Sequence, residues 1–201
     1  MYIGACALDS HWEFAQSGEG KYAYEYNASD TKGVVSWAAR QNSSLEYGVT
    51  ADDWDYICFQ QASAASGLPS TYSHLQELMN WVKQTATNPD VKLLWNMTWA
   101  YEQNSGHPNF GTYDNDQRTM YNAIINTTLS QVATKDIDLI LPIGTAIENA
   151  RTSYLGNTFS RDMYCHLSYD STNTPSQYGD VTTNGRFLAG LTARSEEHTS
   201  E

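Results

Sequence analysis

The succession of apolar segments predicts a three-layer α/β domain on a mostly parallel sheet, and three observations carry that expectation. Short β-type runs at residues 56–59, 92–97 and 137–141 alternate with longer stretches of helical apolar spacing. Alternation of that kind calls for right-handed crossovers, which bury a parallel sheet on both faces. No internal repeat, linker or low-complexity block divides the 201 residues, and their 40% hydrophobic content is enough for one core.

The elements follow in order. Residues 2–7 read as a short apolar strand. Residues 21–26, Lys-Tyr-Ala-Tyr-Glu-Tyr, alternate aromatic with polar or small side chains, the period of a half-exposed strand, and residues 33–37 extend it as a hairpin-like excursion. In Asn42-Ser-Ser-Leu-Glu46 a serine cap followed by Glu starts a short helix running towards Asp53. After the strand at 56–59, residues 71–85 place Leu75, Leu78, Met79 and Val82 at helical spacing, and Asn88-Pro89 ends that helix. The strand at 92–97 precedes a polar loop over 102–112. Residues 113–132 form the longest helical pattern, with Met120, Tyr121, Ile124, Ile125, Leu129 and Val132 on one face and Asp114-Asn-Asp116 as its cap. Pro142 closes the strand at 137–141, Gly144 introduces a helix over 145–153, and a last helix begins at 185–192.

Composition excludes several classes. Eleven Lys and Arg against 23 Asp and Glu give a formal net charge of −12, the wrong sign for a nucleic-acid partner. No run approaches the roughly 20 apolar residues of a membrane span. Cys6, Cys58 and Cys165 lack CxxC spacing, so neither a disulfide framework nor a cysteine zinc site is indicated; Cys58 and Cys165 read as small buried hydrophobes. His11, His74 and His107 share no metal-ligand spacing, and no glycine-rich nucleotide signature occurs. No metal or cofactor is expected.

Ligands of parallel sheets bind beyond the carboxyl ends of the strands. That rule selects residues 4–11, Gln60 to Ser63, Thr98 to Tyr101, Gly144-Thr145 and the late loop 161–166. Asp162 and His166 lie four apart there. A histidine general base is commonly held in one tautomer by a carboxylate, and a surface Asp beside a packing His is the alternative. The side-chain amides of Gln60 and Gln61 can donate to a developing oxyanion, or simply cap a strand end. Trp95, Trp99 and Tyr101 offer either a sugar-stacking platform or core packing.

Several segments together carry a resemblance. They are Trp54-Asp-Tyr-Ile-Cys-Phe-Gln-Gln-Ala-Ser63 with Ser66-Gly67, Leu94-Trp-Asn-Met-Thr-Trp-Ala-Tyr101, Asp116-Gln117 with Met120-Tyr121, Pro142-Ile-Gly-Thr-Ala146, and Ser160-Arg-Asp-Met-Tyr-Cys-His-Leu-Ser168 before Gly185-Arg186. The chain up to Ala193 resembles the SGNH/GDSL hydrolase superfamily, in its branch named domain of unknown function 4886. The resemblance implies a flavodoxin-like α/β/α fold and a serine-type esterase acting on a small-molecule or glycan ester; abundant Asn, Thr and Tyr with few Lys suit a secreted or periplasmic location for the intact protein. By position, His166 would be the base and Asp162 its orienting carboxylate. Gly4 would be the oxyanion-hole glycine, and Gln60 or Gln61 would stand where the superfamily has a Gly-x-Asn pattern. The Asp–His spacing departs by one residue.

The superfamily's nucleophile sits in a Gly-Asp-Ser or Gly-Asn-Ser turn after its first strand, and this sequence contains neither. The opening Tyr-Ile-Gly-Ala-Cys-Ala-Leu-Asp-Ser-His-Trp12 resembles the second block instead. The expectation is a fragment whose first strand and serine lie upstream of Met1, inactive as it stands; were the front complete, Ser10 would be the nucleophile candidate. Arg194-Ser-Glu-Glu-His-Thr-Ser-Glu201 back-translates as AGA TCG GAA GAG CAC ACG TCT GAA, the start of a common sequencing-library adapter. Residues 1–193 are therefore read as a partial domain and 194–201 as non-native. The competing expectation is a non-catalytic carbohydrate-binding domain using Trp12, Trp99 and Tyr101 as its stacking surface.

Overall fold

The computed structural model describes residues 6–29, 31, 34–103, 105–152 and 191–192. Along them run α1 (Leu8–Ser17), β1 (Tyr22–Asn27), β2 (Trp37–Ser43), α2 (Leu45–Thr50), β3 (Tyr56–Phe59), α3 (Leu75–Thr85), β4 (Lys92–Asn96), α4 (Gln117–Thr127), β5 (Leu139–Leu141) and α5 (Ile143–Thr152). The architecture is mixed α/β. β3, β4 and β5 form a three-stranded parallel sheet in that order, with Leu94, Trp95 and Asn96 opposite Leu139, Ile140 and Leu141. β1 and β2 form a separate antiparallel pair, from Asn27 opposite Trp37 to Tyr22 opposite Ser43. Between Tyr22 and Tyr24 the register slips, and Asn42 takes a left-handed φ of 55° at that bulge.

The chain packs as two compact units, Met1–Cys58 with Ser70–Leu93, and Phe59–Pro69 with Leu94–Glu201. In unit 1, α1, α2 and α3 pack on one another, burying Leu8, Val49, Leu75, Leu78, Met79 and Val82. Ser44 caps α2 by accepting from the Tyr47 N–H, as the sequence predicts. The spacing of Leu8, His11, Trp12 and Ala15 builds a helix, α1, between the first two segments assigned from sequence; Gly18 ends it in the left-handed conformation. Cys58 is exposed, not buried.

Unit 2 is centred on Trp95, Met97, Phe110, Met120, Ile124, Val132 and Ile147. The Tyr113 phenol ties two loops. Its oxygen accepts from the Gly67 N–H at 3.1 Å and donates to the Ala64 carbonyl at 2.8 Å. A side chain on Gly67 would meet Tyr113 Cε1 and Ala123 Cβ at 2.8 Å each, so glycine alone fits there. α4 begins at Gln117, later than expected. Pro108–Tyr113 is a 3-10 segment and Asp114 and Asn115 are left-handed, while Asp116 caps α4 through the Thr119 N–H at 2.7 Å. A π turn over Thr128–Val132 then extends the helix, and Leu129, expected on the apolar face, is 60% exposed.

Candidate functional site

In unit 2 the ends of the parallel strands deliver a set of amides and hydroxyls. Gln60 directly follows β3 and is exposed. Its Oε1 accepts a hydrogen bond from Nδ2 of Asn96, the last residue of β4. A primary amide has two N–H donors besides that acceptor, and those of Gln60 have no partner among the described residues. Gln61 is different: it is 1% exposed, and its Oε1 accepts from the Ala62 N–H at 2.8 Å. Of the two amides the sequence left open, Gln60 has free donors at the surface and Gln61 is part of the packing. The buried Oδ1 of Asn96 has no hydrogen-bond partner among the described residues.

The segment after β4 is pinned along its length. Thr98 Oγ1 donates to Ser66 Oγ at 2.6 Å, and that hydroxyl donates to the Ala62 carbonyl at 3.0 Å, joining the loops after β3 and β4. Gly144, in the first turn of α5, donates its N–H to the Met97 carbonyl at 2.9 Å. A Cβ at that position would collide with the Thr98 carbonyl oxygen. Arg151 donates to the Ala100 carbonyl at 2.9 Å and stands 3.7 Å from the buried Glu148 carboxylate, which Gln117 and Arg118 also contact at 3.1 and 3.4 Å. These internal bonds hold the strand ends, and among the donors described the Gln60 amide is the one directed to the surface.

Tyr101 does not provide a stacking surface. It is 3% exposed, its ring is stacked on His107 at 4.4 Å with Phe110 edge-on, and its hydroxyl lies 3.0 Å from Ser63 Oγ. The aromatic run after β4 mostly fills the core, with Trp95 2% exposed and Trp99 only partly covered.

Ser10 and Trp12 lie in unit 1, on α1. Ser10 occupies the first helical turn, and its hydroxyl makes no hydrogen bond among the described residues. Neighbouring Asp9 accepts from His74 Nδ1 at 2.8 Å and from Ser73 Oγ at 3.2 Å. Trp12 stacks on the same His74 with ring centroids 6.3 Å apart and planes 13° from parallel. His11 turns elsewhere: its Nδ1 is 2.6 Å from the Tyr22 hydroxyl and 3.7 Å from Cys6 Sγ. Burial lowers the His11 pKa and raises those of Cys6 and Tyr22, so this cluster favours a neutral thiol over a nucleophilic thiolate.

Gly4, Asp162 and His166 lie outside the described residues, as do Cys165 and the segment 194–201. Among the described residues no group of three His, Cys, Asp or Glu could hold a metal ion, and no helix is long and apolar enough to cross a membrane. Asn96 and the Asp9–His74 pair were missed from sequence. Asn96 is the last residue of β4, so a rule that selects residues beyond the strand ends passes over it. Asp9 and His74 are 65 residues apart, and only the packing of α1 on α3 joins them.

Comparison with known proteins adds a family. No curated protein matches the chain. A crystal structure of a DUF4886 family protein from Bacteroides uniformis ATCC 8492, at 1.50 Å resolution, is similar, with a TM-score of 0.77 and 30% sequence identity. The similarity covers 94% of this chain and 66% of that one, so the chain spans just under two thirds of that protein's length. Residues 1–178 match the family described as Domain of unknown function (DUF4886). The chain belongs to the DUF4886 family.

Proposed function

We propose that this chain carries most of an SGNH-type serine ester hydrolase domain with a flavodoxin-like fold, acting on acylated carbohydrate. The observation that supports the reading is the Gln60 amide, oriented at the end of β3 by Asn96, with both its N–H donors unpaired among the described residues. Fixed donors of that kind stabilise charge developing on a carbonyl oxygen without reorganising during the reaction. In the proposed mechanism a serine from the segment preceding Met1 attacks the ester carbonyl carbon. His166 takes the hydroxyl proton, and Asp162 holds the imidazole and stabilises its charged form. The oxyanion is held by the Gly4 N–H and Gln60 Nε2. Collapse expels the alcohol, protonated by His166, and water then releases the carboxylic acid by the same steps in reverse.

The test uses the full-length protein with its native N-terminal segment, assayed on p-nitrophenyl acetate and on acetylated xylan. His166→Ala is expected to abolish turnover on both. Gln60→Ala should lower kcat by about a hundredfold to a thousandfold, the usual cost of one oxyanion donor, with KM little changed. Gln61→Ala should act on stability instead. Full activity in His166→Ala would overturn the assignment, and full kcat in Gln60→Ala would remove that residue from it.

A further inference from the structure

Unit 1 contains a second arrangement that the hydrolase reading does not use. An ionised carboxylate only accepts hydrogen bonds, so the 2.8 Å contact between Asp9 Oδ1 and His74 Nδ1 places a proton on Nδ1. In the neutral ring that leaves Nε2 as a lone-pair acceptor directed away from Asp9. The second carboxylate oxygen of Asp9 also lacks a donor among the described residues. Both side chains are accessible, at 43% exposure for His74 and 44% for Asp9. Beside them the Trp12 indole runs nearly parallel to the imidazole, with ring centroids 6.3 Å apart and planes 13° from parallel, and is only partly covered.

A flat aromatic face beside two open acceptors fits a ligand with an apolar C–H face and several hydroxyls. The C–H face packs on the indole, and two hydroxyls donate to His74 Nε2 and Asp9 Oδ2. The Asp9 charge, in a chain of net charge −12, repels carboxylated or phosphorylated ligands. We propose that Trp12, His74 and Asp9 form a binding subsite for neutral carbohydrate. The geometry stands independently of the hydrolase assignment, and a ligand without an ester tests it alone.

Isothermal titration of the full chain with xylotetraose, cellotetraose and tetragalacturonate is the experiment. Saturable binding of at least one neutral tetrasaccharide is expected, with tetragalacturonate weaker by about tenfold or more. Trp12→Ala should abolish the binding. His74→Phe, which keeps a stacked ring but removes Nε2, should weaken it by about tenfold, and circular dichroism would show that both variants fold. Absence of binding to both neutral sugars, tighter binding of the acidic one, or unchanged affinity in the two variants would each overturn the proposal. Hydrolysis of p-nitrophenyl acetate by the full-length protein engages no sugar, so either reading can fail without the other.

Discussion

His11 shows how one half-buried side chain sets a pH response. Its ring is held by the Tyr22 hydroxyl at 2.6 Å, and burial pushes its pKa below the ordinary 6.5. The unfolded chain therefore binds a proton that the folded chain refuses. Stability from this residue is fully present above pH 6.5 and is lost as the pH falls through the lower folded value. Urea midpoints measured across that range should decline towards acid, and the decline should be shallower in His11→Phe. An identical slope in the variant would assign the acid sensitivity to other groups. Gln60 and Gln61 make a related point. Adjacent and chemically identical, they offered no basis for choice in the sequence; burial of one and exposure of the other separates them.

At the scale of elements, the chain was legible where local rules act alone. The Ser44 cap, the strand at Tyr56–Phe59 and the apolar face of α3 needed only neighbours within a few residues. What failed depended on irregular backbone. Extending a 3.6-residue period through 113–132 assumed one continuous helix, whereas Asp114 and Asn115 break it before the start and the π turn rotates Leu129 off the buried face. β2 was expected over 33–37 but occupies Trp37–Ser43. Its side chains are largely exposed and lack alternation, so its existence rests on backbone pairing with β1. Of the candidate site, the strand-end rule found Gln60 and the segment after β4, but not the long-range partners.

Gly144 provides an element-level prediction. The first turn of α5 approaches the segment after β4 closely enough that Gly144 N–H bonds the Met97 carbonyl, and a methyl group there meets the Thr98 carbonyl oxygen. Backbone cannot swing aside as a flexible side chain can. Gly144→Ala should therefore lose about 1–3 kcal/mol, the range for overpacking, read as a lower thermal midpoint. A midpoint equal to that of the parent would mean that α5 slides without cost.

Across the whole molecule, two compact units each hold buried phenols, Tyr22 and Tyr24 among those of one and Tyr113 among those of the other. Burial raises the pKa of all three above the ordinary 10. The sign is opposite to that of His11. The unfolded chain releases these protons first, so their contribution holds below pH 10 and is withdrawn as alkali reaches the folded values. Tyr22, Tyr24 and Tyr113 should ionise only with unfolding, giving a late, cooperative rise in absorbance at the phenolate band that coincides with the loss of helical circular dichroism. A single smooth curve would contradict the burial. The Tyr113 phenol that bridges Gly67 and Ala64 then doubles as an optical marker: its ultraviolet transition reports when the loops of its own unit part, with no dye attached.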